Sequence, residues 1–216
     1  MQNSTKNCER GFTLIELLIA MALALIVITS LSSAFISQRK TYAVQEQITA
    51  MTQDARAALD MISREAKMAG YDPTGTLQTS DAAYADFVGI PYDTSQLEII
   101  ADINEDGETD GSITNDDTNE VIAYKYYDTT EYPKQIKRKT GAGYFQPFAE
   151  NIQSFAFEYY KTDGTTTTTD ADIRQIEITV TARTAEPDPN YSHPTYGDGY
   201  RRYTLTSYVT PPNLDF

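Results

Sequence analysis

Cysteine is nearly absent: the 216 residues hold one, Cys8. A disulfide within the chain is therefore excluded. Histidine is equally scarce, and the single His193 cannot build a multi-histidine zinc site. Basic residues are few, 17 Lys plus Arg against 31 Asp plus Glu, for a formal net charge of −14. Phosphate binding needs a cationic surface, so nucleic acid is not expected as a general partner. The one dense basic run, Lys134, Lys137, Arg138 and Lys139, reads as an exposed strand of an acidic domain, with a local DNA or subunit contact as the alternative. No Gly-x-Ser-x-Gly elbow and no phosphate loop occurs. Paired carboxylates are plentiful only because acids are in excess, and they single out no catalytic pair. The sequence does not read as an enzyme.

Glycine and proline are missing between Phe12 and Ala69, so one helix of 58 residues is possible. Its first part, Phe12 to Gln38, has 27 residues and one charge, Glu16. At standard rise this is about 40 Å, enough to cross a bilayer core of about 30 Å. An ordinary secretory signal fits poorly. The apolar stretch is too long, and no small-residue cleavage pattern follows it. A carboxylate inside such a block costs about 2.5–3.5 kcal/mol on insertion scales, so Glu16 is expected to have a partner. Lys6 and Arg10 on one flank are nearly balanced by Arg39 and Lys40 on the other, so flanking charge does not set the orientation.

Gly11-Phe12-Thr13-Leu14-Ile15-Glu16-Leu17-Leu18 resembles the processing site of type IV prepilins and pseudopilins. The resemblance implies cleavage between Gly11 and Phe12 by a membrane prepilin peptidase, methylation of the new Phe12 amine, and a periplasmic head. It also implies a type IV pilin-like α+β fold, with a long N-terminal helix packed on an antiparallel β-sheet. Cleavage would remove Cys8, which excludes Cys–His catalysis and leaves other forces to hold the long loops. A cationic amine and a neighbour's Glu16 carboxylate attract more strongly as the dielectric falls, so their pairing would set the axial register between stacked subunits.

Past the membrane part, Val44, Ile48, Met51, Ala55, Leu59, Ile62, Ala66 and Ala69 recur at helical steps, and Gly70 with Pro73 marks the stop. The expected divisions are a leader over 1–11, a transmembrane and filament-core helix over 12–38, an amphipathic second half over 39–70, and a β-rich head over 71–216. Alternation predicts strands at Gln96–Ile103, Glu120–Asp128, Lys134–Thr140, Ile152–Lys161, Ile173–Arg183 and Arg202–Val209. Helix first and strands after is an α+β pattern.

Arg56–Glu65 followed by Met68-Ala69-Gly70-Tyr71 is similar to PilW-type minor pilins and the related J-type pseudopilins. So are Val121–Tyr126 and Ile152–Tyr160. The resemblance implies a minor pilin that helps initiate or cap type IV pilus assembly. Its partners would be other minor and major pilins, the prepilin peptidase and the inner-membrane assembly platform. It would lie as a single-pass inner-membrane protein before joining a surface pilus. A J-type pseudopilin of a type II secretion system is the alternative within the class. A membrane-anchored periplasmic binding module with an uncleaved helix is the alternative outside it.

Three loops stand out. Asp102–Asp110 follows the first part of an EF-hand loop, with Asp102, Asn104, Asp106 and Asp110 as expected calcium ligands, joined by the Glu108 carbonyl. Gly107 would permit the bend. The twelfth position is Ile113, so a closing carboxylate would have to come from Asp116, Asp117 or Glu120. A solvated acidic turn is the competing reading. Thr165–Thr169 is expected to be an exposed hairpin loop, open to O-glycosylation. Ala185–Tyr200, with Pro187, Pro189, Pro194, Tyr191, Tyr196 and His193, is either a variable surface loop or a partner contact.

Overall fold

The computed structural model describes residues 11–75, 87–107, 109 and 120–214. Helix α1 spans Leu14–Ala66 without a break, as its lack of Gly and Pro allows. The chain divides into two compact units, Met1–Glu46 and Gln47–Phe216.

In the first unit the helix is apolar on every side. Leu14, Leu17, Leu18, Leu23, Ile26, Leu31 and Ile36 are all exposed, and α1 contains a stretch long and apolar enough to cross a membrane.

In the second unit the helix becomes one-sided. Met51, Ala55, Ala58, Leu59, Ile62 and Ala66 are buried, as the four-and-three spacing predicts. The α-helix ends at Ala66, earlier than its sequence permits, and a turn carries the chain to Gly70. Gly70 has φ +76°, which favours glycine, and donates its N–H to the carbonyl of Ile100 at 2.9 Å. A side chain on Gly89 would have its Cβ 2.1 Å from the Gly70 nitrogen, so the segment after the helix end requires glycine there.

The strands form two sheets rather than one. Strands β1 (Gln96–Ile100), β2 (Val121–Tyr127), β3 (Gln135–Thr140) and β4 (Gln146–Ala149) make a four-stranded antiparallel sheet in sequence order. Strands β5 (Ile152–Tyr160), β6 (Gln175–Arg183) and β7 (Arg202–Val209) make a three-stranded antiparallel sheet. β4 has no counterpart in the sequence expectation, because four residues containing Pro147 carry too little alternation. The predicted fifth strand starts late: a 3-10 turn at Asp170–Asp172 precedes it, and Ile173 is buried ahead of the strand. That removes the slip in alternation near Arg174 and Gln175.

The core joins the helix to both sheets. Leu97, Ile99, Ile122 and Ile136 come from the first sheet, and Ile152, Ile176, Ile178 and Val180 from the second. One charged side chain sits among them. Glu65, on the helix, accepts a short hydrogen bond from the Tyr124 hydroxyl of β2, and Arg138 of β3 donates to it at 2.8 Å. Burial and the adjacent carboxylate push the Tyr124 hydroxyl far above its ordinary pKa, so it stays a donor. Removing Glu65 would strand both donors. Glu65→Ala is expected to destabilise the protein by about 3 kcal/mol, the scale of a broken buried pair. Glu65→Gln, which keeps an acceptor, should lose less. Thermal unfolding of the detergent-solubilised chain measures both, and equal melting of Glu65→Ala and wild type would show that the triad carries no stability.

Candidate processing and assembly site

Gly11, Phe12 and Thr13 precede the helix, and Phe12 is 92% exposed. The scissile bond implied between Gly11 and Phe12 therefore lies in non-helical backbone. Thr13 and Glu16 form a reciprocal cap. The Thr13 N–H and the Thr13 hydroxyl each donate to Glu16 Oε2 at 2.8 Å, and the Glu16 N–H donates to Thr13 Oγ1 at 3.3 Å. The first helical bond runs from the Leu17 N–H to the Thr13 carbonyl at 3.2 Å.

This is a capping box, and it gives Glu16 partners inside its own chain. The partner expected for Glu16 is a neighbour's amine, whereas the structure supplies one from Thr13 of the same chain. The Thr-x-x-Glu spacing that signals the box is plain in the sequence and was the missed cue. The carboxylate also lies in the first turn, where the helix dipole favours an anion.

Among the expected calcium ligands, Asp102, Asn104 and Asp106 are described, while Glu108 and Asp110, with Asp116 and Asp117, lie outside the described residues. Asp102 is buried, and its carboxylate accepts from the N–H groups of Glu105 at 2.7 Å and Gly107 at 3.1 Å. Asn104 Oδ1 accepts from the Asp106 N–H, and Asn104 Nδ2 donates to Asp106. Glu120 Oε1 accepts from the Ile103 and Asn104 N–H groups at 2.9 and 3.0 Å. Gly107 takes φ +81°, as the bend requires. Among the described residues no group of three or more His, Cys, Asp or Glu side chains is placed to hold a metal ion. The carboxylates of Asp102 and Glu120 thus already order the loop by accepting main-chain hydrogen bonds.

The basic strand is not simply exposed. Lys134 pairs with Asp128, Arg138 pairs with Glu65, and Lys137 is buried, its ammonium 3.0 Å from the Tyr132 ring centre and 4.9 Å from that of Tyr127. The threonine run is exposed as expected except at Thr167, and it is tied to β5. Thr166 bridges to Tyr160, the Thr167 N–H donates to the Tyr159 carbonyl, and Thr167 is buried.

Loop 185–200 is an interleaved arginine–tyrosine stack. Arg183 lies over Tyr200, Arg201 over Tyr191, and Arg202 over Tyr196. Asp188 binds Arg201 at 2.8 Å, and Asp198 binds Arg202 at 2.6 Å. The Arg202 guanidinium holds the Asp198 carboxyl down at about 2. His193 Nδ1 accepts from the Thr195 and Tyr196 N–H groups.

Residues 6–32 match the family model described as the prokaryotic N-terminal methylation motif. The match takes in the Gly11–Glu16 segment and the first part of the apolar stretch of α1. The motif implies processing by prepilin peptidase and assembly with pilins. The type IV-like pilin TTHA1219 from Thermus thermophilus aligns with 76% of this chain and 97% of its own length, at 11% identity and a TM-score of 0.44. No curated protein matches the chain.

A calcium ion at loop 102–110 is a proposal that melting experiments decide. Asp102→Ala removes the acceptor for two loop N–H groups and is expected to cost about 1–3 kcal/mol, with or without calcium. A calcium-dependent rise in melting temperature that disappears in Asp102→Ala/Asp106→Ala would assign the ion. Identical melting in millimolar calcium and in chelator would remove it.

Proposed function

We propose that the chain is a PilW-type minor pilin, made as a prepilin, that helps initiate or cap type IV pilus assembly. The supporting observation is the Gly11–Glu16 segment: a non-helical start joined by a capping box to a helix with exposed apolar side chains all round. Before assembly those side chains need lipid, and afterwards they need the stems of other pilins. The head lies in the periplasm while the stem is in the inner membrane. Cleavage leaves an ammonium at Phe12, and methylation keeps it cationic. A neighbour's Glu16 is its natural counter-ion, since an unpaired charge in that core is costly.

The capping box adds a step to this pairing. Glu16 Oε2 holds the Thr13 N–H and hydroxyl in the single chain, so an incoming amine must share or displace those donors. The carboxylate is never bare: it exchanges one set of partners for another.

Mass spectrometry of the purified protein is expected to find a chain beginning at methylated Phe12. Gly11→Val should accumulate uncleaved precursor in the inner membrane, because a branched side chain obstructs the peptidase at the scissile bond. Efficient cleavage of that variant would sink the prepilin reading. Glu16→Ala and Glu16→Gln should both insert and be cleaved, and both should be recovered less with other minor pilins in a pull-down. Gln can still accept the capping hydrogen bonds but brings no charge. Normal recovery of Glu16→Gln with loss of Glu16→Ala would mean that the cap, not the ion pair, is what assembly needs.

A further inference from the structure

Strand β5 lies at the edge of its sheet, with β6 on one side. Hydrogen bonds show which main-chain groups face the other side. The Tyr160 carbonyl accepts from the Arg174 N–H, just ahead of β6, at 2.9 Å. The Tyr159 carbonyl accepts from the Thr167 N–H, on the opposite side, also at 2.9 Å. Main-chain direction alternates along a strand. The N–H and C=O groups of Phe155 and Phe157 therefore point away from β6, as those of Tyr159 do. The bulge between Ile152 and Ser154 lies outside this run.

This free side is closed at both ends and open between them. At one end the Ile152 N–H donates to the Lys134 carbonyl, and the Tyr126 hydroxyl donates to the Ile152 carbonyl. At the other, Thr166 bridges antiparallel to Tyr160, and the Lys161 N–H donates to the Thr165 carbonyl at 2.8 Å. The threonine run then leaves the edge, because the Thr169 N–H turns to Thr167 Oγ1 at 3.1 Å. Among the described residues no group hydrogen-bonds to the main chain of Phe155 or Phe157 on this side. Edge strands are commonly guarded by proline, lysine or a covering segment. β4 carries Pro147, and the Ile100 N–H of β1 is taken by the Gly89 carbonyl. Ser154–Glu158 contains neither proline nor lysine.

A groove accompanies the gap. The rings of Phe155, Phe157 and Tyr159 follow one another on one face, with centroids 5.4 and 5.8 Å apart, and Tyr92 extends the row 5.4 Å from Tyr159. They line a groove of about 440 Å³ whose only charged lining residues are Asp93 and Glu158. Phe155 and Phe157 are only partly buried. Glu158, on the other face, is exposed and stands opposite Glu177 of β6, a like-charge pair that costs stability. Among the described residues neither glutamate forms an ion pair with Lys or Arg; both accept from the one Tyr160 hydroxyl, at 2.9 and 2.8 Å.

We propose that the open stretch at Phe155–Phe157 accepts an extended segment of another protein as an added antiparallel strand, one in which apolar and basic residues alternate. The segment's main chain meets the free N–H and C=O groups of Phe155 and Phe157, its apolar side chains enter the ring-lined groove, and a Lys or Arg between them turns to the other face and meets Glu158. From Ile152 to Tyr159 the edge is about 23 Å long at standard rise, room for about six residues. The Thr165–Thr167 pairing is the same kind of contact made by the chain itself, so the added strand continues what this edge already accepts. The proposal concerns the head alone and does not use the filament reading.

The probe is a labelled, end-capped hexapeptide of alternating valine and lysine, titrated into the full chain in nonionic detergent and followed by fluorescence anisotropy. Saturable binding is expected. Methylating the valine amide nitrogens, which face Phe155 and Phe157, should abolish it, while methylating the lysine amide nitrogens, which face outward, should not. Glu158→Lys should weaken binding about fivefold, the upper scale of an exposed ion pair, and a valine–glutamate hexapeptide should gain on that variant by a similar factor. Phe155→Ala should weaken the valine–lysine peptide as well; if it melts early, Glu158→Lys at its exposed site carries the test. Binding that survives valine methylation overturns strand addition. Binding unchanged in both variants lies on another edge, such as β7, and overturns the site. Failure to saturate at millimolar peptide overturns the proposal too. Maltoheptaose that binds wild type but not Phe155→Ala, with no peptide bound, overturns the choice of partner in favour of a glycan. None of these results bears on cleavage after Gly11, so the filament reading stands or falls separately.

Discussion

A helix with apolar side chains on every side cannot stand in water, and this constraint organises the molecule. From Leu14 to Ile36 the free chain exposes leucine, isoleucine, valine and methionine around the whole circumference. A soluble domain rarely leaves so much contiguous apolar surface open. An apolar surrounding suits it better than water, and such a surrounding penalises a bare charge. Glu16 is tolerable because its carboxylate caps the helix that carries it. The cap uses main-chain and hydroxyl donors that the first turn would otherwise leave unpaired.

The same helix changes character where it meets the head. Beyond Gln47 its small residues, Ala55, Ala58, Ala66 and then Ala69, let the sheets approach closely. At Glu65 a charge is buried instead of an apolar group. Hydrophobic packing alone is non-directional and would allow the helix to slide or rotate over two sheets. A carboxylate that must meet both the Tyr124 hydroxyl and the Arg138 guanidinium has one solution. The triad therefore contributes to position as well as to stability, and with Gly70 bonded to Ile100 it fixes where the helix ends against the first sheet.

The legible parts of the sequence were those set by period and by missing residues. The absence of Gly and Pro from Phe12 to Ala69 foretold an unbroken helix, and alternation located six of the seven strands. The division into two sheets was not legible, because alternation reports which face is buried but not which strand pairs with which. Glu65 was missed for a related reason. A helical stripe read by apolarity skips a charged residue at a core position, and its partners lie 59 and 73 residues away. Thr13 was missed although its signal is local, since the capping box lies within four residues. Lys137 shows the opposite error: a lysine in a basic run reads as exposed, yet rings from the turn and the neighbouring strand cover it.

The distribution of charge follows from the same economy. Most arginines of the head are engaged internally: Arg138 on Glu65, Arg201 on Asp188, Arg202 on Asp198, and Arg183 over Tyr200. Arginine suits such places because its planar fork holds a carboxylate and stacks on a ring at once. Without disulfides, these stacks and pairs tie loop 185–200 to the three-stranded sheet. Lys137 is engaged internally as well, buried under the Tyr132 and Tyr127 rings.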